Sequence, residues 1–197
     1  MGAAAPWIIL KAVRIVAATI LLLALMAVPA GSIMADQTDS RLDDLFARLK
    51  SDTDQQAVRG IEMSIWRIWI DSGDDVIETL MAQGLAAMAR ADYPAALGKF
   101  DQIVAIAPDF AEGWNKRATV HYLMGSYPES LFDIDKTLAL EPRHFGALSG
   151  RGLVYIELGK EELALESFEA ALKIDPSLPG ARRNAEVLRK RLKDREI

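Results

Sequence analysis

The sequence predicts an all-α protein, a solenoid of three stacked helix pairs preceded by a further helical pair and closed by a C-terminal helix. Three observations carry that expectation. Pro108, Pro142 and Pro176 stand 34 residues apart, each closing a short, largely apolar stretch. Registered on these prolines, small residues coincide at Gly84, Ala118 and Gly152, at Ala91, Gly125 and Gly159, and at Ala96, Ser130 and Ala164, while Phe100, Ile134 and Phe168 share one bulky position. Each unit also splits into two helical stretches, such as 112–124 and 128–140, joined at a glycine that can take the left-handed conformation ending a helix.

Residues 1–35 hold 27 hydrophobic residues and two charges, Lys11 and Arg14, both ahead of the apolar run 15–28. A basic start, an apolar middle and small residues leading to Ile33, Met34 and Ala35 make the tripartite pattern of an export signal, with cleavage expected after Ala35. The uncharged stretch 15–35 is 21 residues long, enough to cross a bilayer, so a retained signal anchor is the competing expectation. Pro29 and Gly31 break helices and weigh against it. In both cases Lys11 and Arg14 stay in the cytoplasm and the remainder crosses. With no cysteine to acylate, the chain is not a lipoprotein.

Residues 36–73 are expected to form a helical pair, either a diverged repeat or a cap. Its first helix, 38–50, puts Leu42, Leu45, Phe46 and Leu49 on one face. After 51–54 a second helix runs to about Ile70 and carries Val58, Ile61, Ile65, Trp66, Ile68 and Trp69. It is apolar on nearly all sides, so Trp66 and Trp69 are expected to be buried against the first repeat, with a partner surface as the alternative. Ser72, Gly73 and Asp74 end this helix and cap the next.

Three units follow, at 77–110, 111–144 and 145–178. Pro94 and Pro128 fall in the first turn of second helices, where a missing amide proton costs little. Gly84, Ala118 and Gly152 let paired helices approach, and Phe100, Ile134 and Phe168 fill the layer between them. One pair cannot bury its apolar stripe alone; stacked pairs share a continuous core. On these residues the chain resembles the tetratricopeptide repeat family, whose 34-residue signature runs W-x2-L-G-x2-Y, then A-x3-F, then P. The third unit carries Gly152, Tyr155, Gly159, Ala164, Phe168, Ala171 and Pro176. The second has Trp114, but His121 replaces the tyrosine, and Ser130 and Ile134 replace alanine and phenylalanine; the first has Ala87 for the tyrosine. The resemblance covers 77–178 and implies a right-handed α-solenoid. The second and third units are also similar to uncharacterised exported repeat proteins of alphaproteobacteria.

Residues 179–197 read as a capping helix, with Ala181, Ala185, Leu188 and Leu192 on one face and seven basic residues around the rest. An anionic-lipid patch is the other use of such a face. The whole chain is at -5, but residues 36–179 alone are at -11 and 180–197 at +4.

Chemistry is scarce. With no cysteine and only His121 and His144, thiolate metal sites, disulfides and a cysteine nucleophile are excluded, and no catalytic or cofactor motif is present. His144 reads as a loop residue with no carboxylate in any local motif. The acidic balance argues against nucleic acid. No enzyme, cofactor or metal is expected. The family resemblance implies instead a concave groove lined by the first helix of each pair, here Met81, Leu85 and Met88, then Glu112, Asn115, Thr119 and Tyr122, then Ser149, Leu153 and Ile156. A clamp for a C-terminal carboxylate, as some family members have, is not supported, since only Asn115 lies at such a position. A Met/Leu groove suits an apolar segment or amphipathic helix, unless the chain's own N-terminal helices fill it. The expected function is therefore an exported scaffold that binds a protein or peptide of the cell envelope without catalysis. The alternative is a membrane-associated regulatory factor acting through the basic C-terminal helix, with residues 1–35 as a further membrane contact if uncleaved.

Overall fold

The computed structural model describes residues 39–195, which are helical apart from their connections. The export or anchor segment expected at 1–35 lies outside the described residues. Within them the helices are α1 (Arg41–Ser51), α2 (Gln55–Ile70), α3 (Asp75–Ala89), α4 (Tyr93–Ile106), α5 (Ala111–Leu123), α6 (Tyr127–Leu140), α7 (Phe145–Glu157), α8 (Glu161–Ile174) and α9 (Pro179–Arg195). None of these is long and apolar enough to cross a membrane.

Helix boundaries follow from local chemistry. Asp74 accepts from the Val76 and Ile77 amides at 2.8 and 3.1 Å and starts α3, while Asp54 and Asp92 do the same for α2 and α4. The first helix of each pair ends identically. The amides of Asp92, Ser126 and Lys160 reach back to the carbonyls of Ala87, His121 and Tyr155 at 3.0, 2.9 and 2.8 Å, around a residue of positive φ. That residue is Gly125 at +76° and Gly159 at +68°, but Ala91 at +57° in the first unit.

Pairs α3–α4, α5–α6 and α7–α8 pack in sequence, each second helix also touching the next first helix, and α9 covers α8. The small-against-large expectation is realised closely. A Cβ on Gly84 would lie 2.6 Å from the Phe100 ring, and one on Gly152 2.7 Å from Phe168, so glycine is what admits a phenylalanine. The middle unit reaches the same fit with Ala118 against Ile134, both buried in one cluster. Arg117 of α5 joins three helices, bonding Asp133 of α6 at 2.7 and 2.8 Å and Asp101 of α4 at 2.9 Å. On α9, Ala181, Ala185 and Leu188 are buried, and Arg189, Arg191 and Arg195 pair with Glu169 and Glu161 of α8.

The α1–α2 hairpin sits where the sequence does not place it. Although it precedes the first unit, its tryptophans meet His144 and Phe145, at the junction of the second and third units, instead of being buried against the first repeat. The core of the hairpin includes Phe145 and is extended by Ile174 and Leu178.

Candidate binding groove

The inner face is built from α3, α5 and α7, and two different environments divide it. One half is filled. Trp69 of α2 is 2% exposed and stacks on the His144 ring at 4.1 Å and 11°, while Trp66 meets both Phe145 and His144 edge-on at 5.4 Å. Below them lies a polar joint that sequence reading missed. His144 caps α7, its Nδ1 accepting the Ala147 amide at 3.0 Å. That bond assigns the ring proton to Nε2, which donates to Glu112 Oε2 at 2.9 Å. Asn115 Nδ2 donates to the same oxygen at 2.9 Å, and Lys116 Nζ lies 2.7 Å from Oε1. Burial alone pushes the Glu112 carboxyl up, but the His144 hydrogen bond and the Lys116 charge outweigh it and hold the group below its usual range, ionised. Lys116 also stands 5.3 Å from the centre of the Trp66 ring.

Glu112 and His144 are 1% and 0% exposed, so the histidine–carboxylate pair is a structural joint that no reacting molecule reaches. Its partners are 32 residues apart, which no local motif could reveal. Among the described residues no group of His, Asp or Glu could hold a metal ion.

The other half is open. A cavity of about 210 Å³ is lined by Asn115, Thr119, Tyr122, Ser149 and Leu153 over a floor that includes Ile134. It continues, through shared Gly146, Ser149 and Leu153, into a second of about 380 Å³ walled by Trp66, Phe145, Leu178 and Asn184. The ten groove positions expected from the sequence thus separate. Asn115, Thr119, Tyr122, Ser149 and Leu153 line the open part. Met81 is 2% exposed inside the first pair's core, with Leu85 and Met88 packed against that core and Ile156 against the third unit's. Glu112 and Asn115 are buried, Asn115 spending a donor on Glu112. Glu112 is therefore covered, and Trp66, Leu178 and Asn184, contributed by α2 and the α8–α9 region, join the lining.

Comparison with known proteins follows the same register. Models described as tetratricopeptide repeat match residues 81–136 and 145–178. A TPR repeat-containing protein of Rhizobium etli is 41% identical over 86 residues, 44% of this chain and 42% of its own length, so the match spans less than half of that relative. Among solved structures, the Sgt2 TPR domain from Aspergillus fumigatus is similar in fold with a TM-score of 0.59 at 22% identity, over 62% of this chain and 83% of that one. The first TPR of Spaghetti (RPAP3), bound to HSP90 peptide SRMEEVD, gives 0.57 at 20% identity over 59% and 93%.

Proposed function

Because the chain carries tetratricopeptide repeats, we propose that it is an exported, non-catalytic scaffold that holds an apolar segment of a cell-envelope protein in the open half of its groove. The carrying observation is the continuous lining from Tyr122 and Thr119 through Ser149 and Leu153 to Trp66 and Leu178, mostly apolar with polar groups at intervals. Peptide binding by a protein of similar fold supports the reading. Export rests on the signal-like residues 1–35, and the envelope as the place of action follows from it.

The alternative, action through the basic helix on a membrane, has less support, since Arg189, Arg191 and Arg195 are engaged with α8 carboxylates. Crosslinking in intact cells followed by purification tests the groove. A specific envelope protein is expected to be recovered with the natural chain and lost with Leu153→Glu, which puts a charge into both cavities. Equal recovery with a folded Leu153→Glu variant refutes the groove as the site. Mass determination of the mature N-terminus tests export; a soluble chain that still carries the whole segment 2–35 refutes it.

A further inference from the structure

The α1–α2 hairpin behaves as a ligand of the array to which it is tethered. Its neighbour in sequence is α3, yet its anchors lie two units away. Trp69 stacks on His144, Trp66 meets Phe145 and Lys116, and a Cβ on Gly146 would lie 2.6 Å from the Trp66 ring, so the array's surface is shaped to that indole. Arg143 reaches α1, its Nη1 2.6 Å from Asp43 and its guanidinium 4.5 Å from the Phe46 ring. At the far end Glu62 of α2 is hydrogen-bonded by Ser177. The connection to α3 is only Asp71–Asp74, including Gly73 with φ +65°.

Two features tie this docking to the open groove. Trp66 and Trp69 stand one turn apart on one face of α2, the arrangement by which a helix lays anchors into a groove. Trp66 also lines the 380 Å³ cavity together with Leu153, so anything filling that cavity meets the hairpin's own anchor.

We propose that residues 41–70 are a built-in competitor for the groove, displaced by a partner helix that presents two aromatic side chains one turn apart to His144 and Phe145. This rests on the groove being a protein-binding site and deepens that reading by naming the partner's chemistry. A tether of four residues keeps the hairpin at a high effective concentration, on the order of millimolar for short linkers. The partner's apparent affinity is then lowered by the small fraction of molecules whose groove is uncovered.

The test uses the full chain and, as probe, a fluorescent peptide with the sequence of residues 55–70, beside the same peptide with both tryptophans replaced by alanine. The released variant, Trp66→Ala with Trp69→Ala, removes both hairpin anchors and with Trp66 one wall of the 380 Å³ cavity, while His144, Phe145 and Gly146 that receive the probe are unchanged. In the locked variant, Glu62→Cys and Ser177→Cys are joined by a short thiol crosslinker, which the absence of other cysteines makes specific. Peptide binding is expected to be at least about tenfold tighter to the released than to the natural chain, and lost in the locked one; the alanine peptide is expected not to bind. Equal binding by released and locked chains overturns the proposal. Should the released variant not fold, hydrogen exchange of the natural chain decides. Excess tryptophan peptide is expected to speed exchange of the amides of 55–70 and not those of α8, and unchanged exchange overturns it. A dimer of the natural chain abolished by the lock assigns the surface to a second copy and equally overturns it. Failure here is separable from failure of the groove reading. If locking leaves recovery of the envelope protein unchanged while Leu153→Glu abolishes it, displacement is wrong and the groove stands.

Discussion

Replacing Glu112 by alanine removes the acceptor on which the covered half of the groove is assembled. Three groups then lose their partner. Lys116, with its side chain 18% exposed, can swing into water, but the His144 side chain is at 0% and Asn115 is 7% exposed, so their N–H groups stay buried without an acceptor. Each such group costs about 1–3 kcal/mol, and the loss of a buried charged partner as a whole costs about 3–5 kcal/mol. Urea denaturation followed by both far-UV circular dichroism and tryptophan fluorescence measures it. A loss of about 3–5 kcal/mol is expected, with the fluorescence transition leading because Trp69 stacks on the released imidazole. Glu112→Gln separates charge from hydrogen bonding. The amide oxygen still accepts from His144 and Asn115, so the loss at neutral pH shrinks to about 1 kcal/mol, the difference between charged and neutral acceptors. The folded-state pKa of Glu112 lies below its ordinary value of 4.5. Its contribution is therefore present above pH 4.5 and lost as pH falls through the lower, folded value, and the Gln variant is expected to lack that part of the acid limb. A loss below about 1 kcal/mol for Glu112→Ala would refute the view that this joint holds the two units and the hairpin together.

Ala91 holds a left-handed conformation at φ +57° where the other units have glycine, so Ala91→Gly is expected to raise stability by about 1 kcal/mol; a thermal shift in the opposite direction contradicts it. Gly152→Ala drives a Cβ to within 2.8 Å of three Phe168 ring atoms and is expected to cost about 1–3 kcal/mol. Adding Phe168→Ile is expected to recover part of that loss by reproducing the Ala118–Ile134 pair, a double-mutant cycle that strict additivity would disprove. Burial and the neighbouring Asp175 push the Glu62 carboxyl above 4.5, against the Ser177 hydrogen bond. Its contribution to hairpin docking is full below pH 4.5 and falls as pH rises through the raised value, so Glu62→Gln is expected to weaken the rise in hairpin amide exchange as pH increases above 4.5, with no change in slope counting against it.

Several elements were legible because the forces setting them are local. Asp74 was readable as a cap from its place before an apolar run, and its carboxylate bonds amides two and three residues on. Gly84 and Gly152 were readable as points of close approach because phenylalanine recurs in register 16 positions later. Other readings needed the third dimension. His144 looked like a loop residue without a carboxylate, since its partner Glu112 becomes a neighbour only when the units stack. The indoles of Trp66 and Trp69 were expected to be buried, but burial is non-directional and names no surface. Met81 fell at a groove position by register and was drawn into the first pair's core instead, among Ile77, Phe100 and Phe110.

The sequence by itself determined three 34-residue helix pairs, the Asp74 cap, the glycine junctions of the second and third pairs, and the size matching between facing helices. These depend on bonds spanning at most a few residues and on a period that repeats within the chain. Only the tertiary structure decided which inner-face residues are free to bind. That depends on where an all-round apolar helix comes to rest, and α2 rests on His144, Phe145 and Gly146, far along the chain, because their rings, cap and missing side chain make a surface complementary to two tryptophans.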